Sequence, residues 1–184
     1  MLGRFAADRY GSVAVEFALI ALVSILLLTE ALQAGLYFYT SAALERAVSK
    51  ASRQIMTGNV QGLTATQFRT TIVCPVLTAT NLSCANVVTN IQTVSEALAP
   101  GGFYQLVNAA QTALILPTMD NTKTSFCVGS TGSYVYVQVF YAMPVFSLIW
   151  RAVATTFNGA SSFLIQSTAV FKNEPFQATT PSSC

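Results

Sequence analysis

Residues 11–28 read GSVAVEFALIALVSILLL, and this stretch decides how the rest of the chain is arranged. Between Val13 and Leu28 the only ionisable side chain is that of Glu16. As a helix, the run from Ser12 to Leu28 is about 26 Å long, and the apolar pattern continues to Tyr39, which is enough for a hydrocarbon core of roughly 30 Å. The sequence therefore predicts one membrane-spanning helix with a single carboxylate near its start.

A short polar segment, residues 1–11, precedes this helix and carries Arg4, Asp8 and Arg9. With the amino terminus it holds a small positive excess, which favours a cytoplasmic location for this end and places the rest of the chain across the membrane. A cleaved secretory signal is the alternative. It is disfavoured because Glu30 interrupts the small-residue site that such a cleavage needs.

The helix is expected to continue well beyond the apolar run, because residues 30–57 contain no proline. Apolar residues recur there at steps of four, three and four, which lines one helical face: Leu44, Val48, Ala51 and Ile55. Gly58 is the predicted left-handed cap. We therefore expect one long helix over residues 12–57, with Glu30 solvated at the membrane surface.

The remaining pattern predicts an α+β fold, in which the long helix packs on a small antiparallel sheet. Val135, Val137, Val139 and Tyr141 alternate with polar and aromatic residues and give one face of a strand to lay on the helix. The other expected elements are a capped helix from Thr64 that stops before Pro75, a strand at 87–94, a short helix at 106–114, a hairpin of 124–128 with 133–142, an amphipathic helix within 145–157, and a strand at 162–172.

The composition argues against several functional classes. The chain has no histidine, which removes the commonest general base and metal ligand. The acidic residues Glu96, Asp120 and Glu174 are far apart in sequence, so no catalytic constellation is visible and an enzyme is not expected. Basic residues cluster only at 46–53, and the net charge is +2, so nucleic acid is not an expected partner. No cofactor or metal is predicted.

The four cysteines are Cys74, Cys84, Cys127 and Cys184. They lack the close pairs of a zinc site, and an even number beyond a membrane helix indicates disulfides in an oxidising compartment. Three connectivities are possible. We favour Cys74 with Cys84 and Cys127 with Cys184, while buried free thiols remain the alternative.

The opening stretch has a specific order of residue types: Gly11, four mostly apolar residues from Ser12 to Val15, then Glu16 and Phe17. This order at the start of a membrane helix resembles the processing pattern of prepilin-like proteins. Such precursors are cut after the glycine on the cytoplasmic side, so the helix stays attached to the protein. By this resemblance, Ser12 becomes the new amino terminus.

More widely, the chain resembles the TadE-like family of tight-adherence (Flp-type) pilus proteins. The segments that carry the resemblance are the opening 11–18, the post-membrane helix 44–55, the strand 134–141 and the ending 171–176. Phe17 departs from the tyrosine often found after the glutamate in related major pilins, although it keeps the aromatic character. A larger relative in the same system carries an added adhesion-type domain, for which this chain has no room.

The resemblance implies a minor pseudopilin, held in the bacterial inner membrane, that assists pilus assembly after cleavage by a prepilin peptidase. Its expected partners are that peptidase, the major pilin, other minor pseudopilins and the inner-membrane assembly platform. The resemblance also divides the chain into three parts: a cytoplasmic leader (1–11), a long helix (12–57) whose first half spans the membrane, and a periplasmic pilin-like domain with disulfides (58–184).

Glu16 has an expected role within this scheme. A carboxylate inside a membrane helix is costly, and this one lies about 6 Å from Ser12 along the helix. It is expected to pair with the freed ammonium of Ser12 on a neighbouring subunit, with Phe17 beside it at the assembly contact, or else merely to reach the lipid headgroups. The alternative function is an uncleaved single-pass anchor that presents a periplasmic binding module.

Overall fold

The computed structural model describes residues 10–94, 107, 108, 110, 112 and 119–176. One helix, α1 (Tyr10–Met56), dominates it and has 47 residues. Within the described residues the fold is α+β, with α1 packed on a four-stranded antiparallel sheet. The predicted fold class is therefore confirmed.

The second half of α1 packs on the sheet through the face that the sequence predicts. Leu44, Ala47, Ala51 and Ile55 are each fully buried and belong to one hydrophobic core. The helix ends where Gly58 adopts a φ of +77° and its amide donates to the Ile55 carbonyl at 3.0 Å. A left-handed residue of this kind closes the last turn, and glycine adopts it without steric cost.

A second helical segment, residues 65–78, follows and packs against α1. It consists of α2 (Ala65–Phe68), a π-helical turn (Arg69–Val73) and α3 (Cys74–Thr78). Thr64 caps it with both halves of a capping box, as the sequence predicts. The predicted stop before Pro75 is wrong, because the π-turn precedes a new helical start in which Pro75 occupies the first turn, where its missing N–H costs nothing.

The sheet contains β1 (Val87–Val94), β2 (Tyr134–Pro144), β3 (Thr155–Phe157) and β4 (Ala160–Lys172), in the order β1-β2-β4-β3. The predicted aliphatic face of β2 lies in the core with α1: Val135, Val137, Val139 and Tyr141. On the opposite face Asn90 lies opposite Gln138 across the strands, and the side-chain nitrogen of Asn90 donates to the side-chain oxygen of Gln138 at 2.8 Å. Both side chains are buried, so this bond helps to fix the register of β1 on β2.

The predicted hairpin between 124–128 and 133–142 is wrong. Strand β2 pairs with β1 on one side and β4 on the other, so both its edges are occupied. The segment 124–128 instead forms a single parallel bridge, between Phe126 and Ile91. It joins the outer edge of β1, where the Ile91 amide donates to Ser125 and the Cys127 amide donates to Ile91, both at 2.9 Å.

The predicted amphipathic helix within 145–157 shrinks to one turn, α4 (Leu148–Arg151). The chain then enters a hairpin, in which β3 and β4 are joined by Asn158 and Gly159. Both turn residues have positive φ, +48° and +78°. Asn-Gly is the dipeptide preferred in such two-residue turns, so this dipeptide favours the hairpin in which residues 155–157 form a strand.

The end of the described chain folds back onto the end of α1. The buried Asn173 side chain donates to the Val128 and Ser130 carbonyls, at 2.9 and 3.0 Å. A Cβ added at Gly58 would lie 2.5 Å from Cγ of the Phe176 ring, so this ring packs directly on the helix cap. The predicted helix at 106–114, the region 99–106 and the leader 1–9 lie wholly or mostly outside the described residues.

Cys74 and Cys84 form a disulfide, which is the pairing favoured from the sequence. It links α3 to the short 3₁₀ turn at Cys84–Asn86. Cys127 is not a free thiol, while its predicted partner Cys184 lies outside the described residues. The disulfide ties the helical segment 65–78 to the start of β1.

Candidate functional site

The first half of α1 projects away from the sheet with its apolar side chains uncovered. An 18-residue window has a mean hydropathy of 2.2, with none of it buried. Phe17 is 71% exposed and Leu22 67%, although both are large and apolar. This is one helix long and apolar enough to cross a membrane, and it fits a single-pass membrane protein.

The proposed processing and assembly residues all lie at the start of this helix. Gly11 and Ser12 fall within the first helical turn of α1, and Glu16 and Phe17 follow one turn later. Glu16 is exposed among exposed apolar neighbours. Positions four apart lie on the same helical face, so Ser12 and Glu16 share one side of the helix.

Glu30 marks the place where α1 first meets the rest of the protein. Its carboxylate accepts a hydrogen bond from the Ser147 hydroxyl at 2.7 Å and another from the Ile149 amide at 3.3 Å. Ser147 in turn accepts from the Trp150 amide at 3.2 Å and so caps α4. The expectation that Glu30 is simply solvated is therefore wrong, because it is half-buried and holds the turn before α4.

Gln33, one turn further along, makes a second polar contact with the same part of the chain. Its side chain is fully buried. The side-chain oxygen accepts from the Phe146 amide at 3.1 Å, and the side-chain nitrogen donates to the Pro144 carbonyl at 3.4 Å. Glu30 and Gln33 thus fix the segment after β2 against α1.

An aromatic cluster completes this contact. The Trp150 ring lies 5.5 Å from Tyr37 and 5.1 Å from Phe163, measured between ring centroids. Tyr37 also lies 5.8 Å from Phe163, in an edge-to-face arrangement. Sequence reasoning missed this cluster, although the polar residues Glu30 and Gln33 within an otherwise apolar stretch were a visible signal of a specific contact.

The titratable groups of the described residues do not converge on a catalytic centre. Asp120 is exposed, and hydrogen bonds from Thr122 hold the pKa of its carboxyl below the ordinary value, with Lys123 at 3.8 Å as a weaker contributor. Burial raises the pKa of Tyr136 on the far side of the sheet. Among the described residues, no cluster of three or more acidic or cysteine side chains is arranged to hold a metal.

A surface groove of about 690 Å³ runs between α1 and β4. Its charged lining residues are Glu45, Arg53 and Glu174. Of the three widely separated acidic residues Glu96, Asp120 and Glu174, Glu96 lies outside the described residues. If the protein were the alternative, a binding module, this groove would be one concave surface that a ligand could occupy.

Comparison with known proteins connects the geometry of α1 to a family. The family model described as TadE-like protein matches residues 11–53, which begin at Gly11 and end three residues before the end of α1. No curated protein and no solved structure shows a significant match to the chain.

The match covers the apolar span, the Glu30 contact and most of the face that packs on the sheet. A TadE-like segment implies involvement in Tad pilus assembly, and this pilus-associated family is structural rather than catalytic. Residues 11–53 of this chain are thus TadE-like, which confirms the resemblance that begins at Gly11.

Proposed function

We propose that the protein is a minor pseudopilin of a Tad pilus, held in the bacterial inner membrane by the first half of α1. The observation that carries the proposal is that the TadE-like match begins at Gly11, where an uncovered apolar helix with a single early carboxylate starts. In this arrangement the amino terminus faces the cytoplasm, and the domain of residues 58–184 faces the periplasm.

Processing is the first step of the proposed function. A prepilin peptidase cuts between Gly11 and Ser12 and removes the leader, residues 1–11. The cut leaves a helix that starts with the ammonium of Ser12 and carries Glu16 one turn later. The short distance matters because the new positive charge and the carboxylate then lie within about one helical turn of each other, about 6 Å apart along the axis and both near the cytoplasmic end of the span.

Assembly follows from this pair of charges. Two unit charges 4 Å apart attract by about 1 kcal/mol in water and about 4 kcal/mol at an effective dielectric constant of 20, so the membrane boundary strengthens the attraction. The exposed Glu16 of one subunit accepts the Ser12 ammonium of another, and Phe17 packs beside the contact. This pairing sets the axial stagger between neighbouring subunits during assembly at the platform.

The test replaces only the proposed charge. Glu16→Gln is expected to be cut normally, because Gly11 and Ser12 are unchanged, but to restore few or no pili in cells that lack the native protein. The matched control is Glu45→Gln, which neutralises an exposed carboxylate further along the same helix. Normal piliation with Glu16→Gln, counted by electron microscopy, contradicts the assembly role.

A further inference from the structure

We propose that the turn around α4 is a second membrane contact, which dips into the lipid headgroup and outer acyl region beside α1. The contact surface, here called the apolar tip, consists of Phe146, Leu148, Ile149 and Val153. This inference rests on the proposed membrane placement of α1, but not on cleavage or on a role in pili.

The apolar tip is uncovered in the described structure. Leu148 is 71% exposed, Val153 64% and Ile149 61%, and Phe146 is about half exposed at 47%. Four large apolar side chains within eight residues form a patch of the kind that marks a membrane or protein contact.

The position of the apolar tip along α1 is fixed by hydrogen bonds. Ser147 and the Ile149 amide bind Glu30, and the Phe146 amide binds Gln33. A hydrocarbon core of roughly 30 Å that starts at Val13 takes up about 20 helical residues and ends near Leu32. The tip therefore lies at the depth where the acyl chains meet the headgroups, and the part of α1 to which it is bound carries exposed apolar residues as well, such as Leu28 and Leu32.

The charge of residues 145–157 also favours contact with a lipid surface. In residues 145–157 the only ionisable side chain is that of Arg151, which is exposed. A cation beside apolar side chains can reach lipid phosphates while the apolar groups enter the acyl region. The segment itself adds no carboxylate, and the Glu30 carboxylate beside it is half-buried and accepts hydrogen bonds from Ser147 and the Ile149 amide.

The contact has a mechanical consequence. The Trp150 ring lies against Tyr37 and Phe163, so the tip is joined rigidly to both α1 and β4. Two membrane contacts, the helix and the tip beside it, restrict tilting of the domain relative to the membrane surface. The domain is then presented to its partners in one orientation.

The test uses the full chain in vesicles of phosphatidylcholine and phosphatidylglycerol, with tryptophan fluorescence as the readout. The chain contains one tryptophan, so Trp150→Phe gives a silent background that keeps an aromatic ring between Tyr37 and Phe163. Single reporters are then added: Leu148→Trp and, as a second reporter in case the first disturbs the turn, Val153→Trp.

Brominated phosphatidylcholines quench tryptophan on contact, with bromines placed either near the headgroup or deep in the acyl chain. Both tip reporters are expected to lose more fluorescence to shallow than to deep bromines. Leu22→Trp, in the middle of the span, is expected to show the reverse order. Lys50→Trp is the control outside the bilayer, about 30 Å beyond Glu30 along α1, and neither lipid should quench it.

The outcomes separate this inference from the proposed function. If Leu22→Trp is quenched but both tip reporters behave like Lys50→Trp, the tip does not touch lipid and the inference is overturned, while the membrane span stands. If Leu22→Trp is not quenched either, both proposals fall. Tip reporters that stay unquenched with blue-shifted emission are covered by another protein surface, such as a second copy, which also overturns the lipid contact.

Discussion

Replacement of Gln33 by alanine should weaken the contact between α1 and the segment that follows β2. We call this contact, made by Gln33 with residues 144–146, the joint. The Gln33 side chain is fully buried and makes two hydrogen bonds to the backbone. It accepts from the Phe146 amide at 3.1 Å and donates to the Pro144 carbonyl at 3.4 Å. In Gln33→Ala both backbone groups lose their partner. The helix itself is unaffected, because alanine is a better helix former than glutamine.

The expected loss in the free energy of unfolding follows from the two backbone groups that lose their hydrogen-bond partner, the Phe146 amide and the Pro144 carbonyl. A buried donor or acceptor without a partner costs about 1–3 kcal/mol, and the longer Pro144 bond adds little. We therefore expect Gln33→Ala to lower the free energy of unfolding by about 2 kcal/mol. For a chain of this size about 2–4 °C of Tm corresponds to each kcal/mol, so the expected fall in Tm is about 4–8 °C.

The assay is thermal unfolding of the full chain in one detergent, followed by circular dichroism and by Trp150 fluorescence, which reports on the joint itself. Leu32→Ala is the matched control, since Leu32 is the neighbouring residue but is 57% exposed. It should change the free energy of unfolding by less than about 0.5 kcal/mol. If Gln33→Ala and Leu32→Ala melt together, the Gln33 contacts do not hold the joint.

Three further changes test other parts of the fold. Leu44→Ala, in the core, should cost about 2–5 kcal/mol in chemical denaturation, whereas Leu36→Ala, on an exposed part of α1, should cost far less. Cys84→Ser should cost about 2–4 kcal/mol, and a reductant should then have less effect on the variant than on the native protein. Gly159→Ala should cost about 1–2 kcal/mol because of its positive φ, and a melting temperature equal to the native one would contradict that turn.

The features that the sequence predicts correctly are those encoded locally. The long helix follows from an unbroken apolar run, its end from Gly58, and the buried face of β2 from alternation. The capping box at Thr64 is a four-residue pattern that depends on no distant contact. The TadE-like opening is likewise a short, ordered motif, and the family match begins at the same glycine.

The predictions that failed depend on distant contacts. Segment 124–128 lies next to β2 in sequence, but β4 occupies the position where a hairpin partner would pair. Glu30 was expected to be solvated because it lies near the outer end of the apolar run, yet Ser147, more than a hundred residues later, binds it. Neither contact leaves a local periodic signal. The Asn158-Gly159 turn is different, since its dipeptide was readable and outweighed the helical spacing before it.

The most direct test of the account is the intact mass of the mature protein after co-expression with a prepilin peptidase. We expect a chain that starts at Ser12, and we expect Gly11→Ala to keep residues 1–11. Gly35→Ala, the control at an exposed glycine of the same helix with open space for a Cβ, should be cut like the native chain. A native chain that retains its leader while an authentic prepilin is cut would contradict the proposed function and favour an uncleaved membrane anchor.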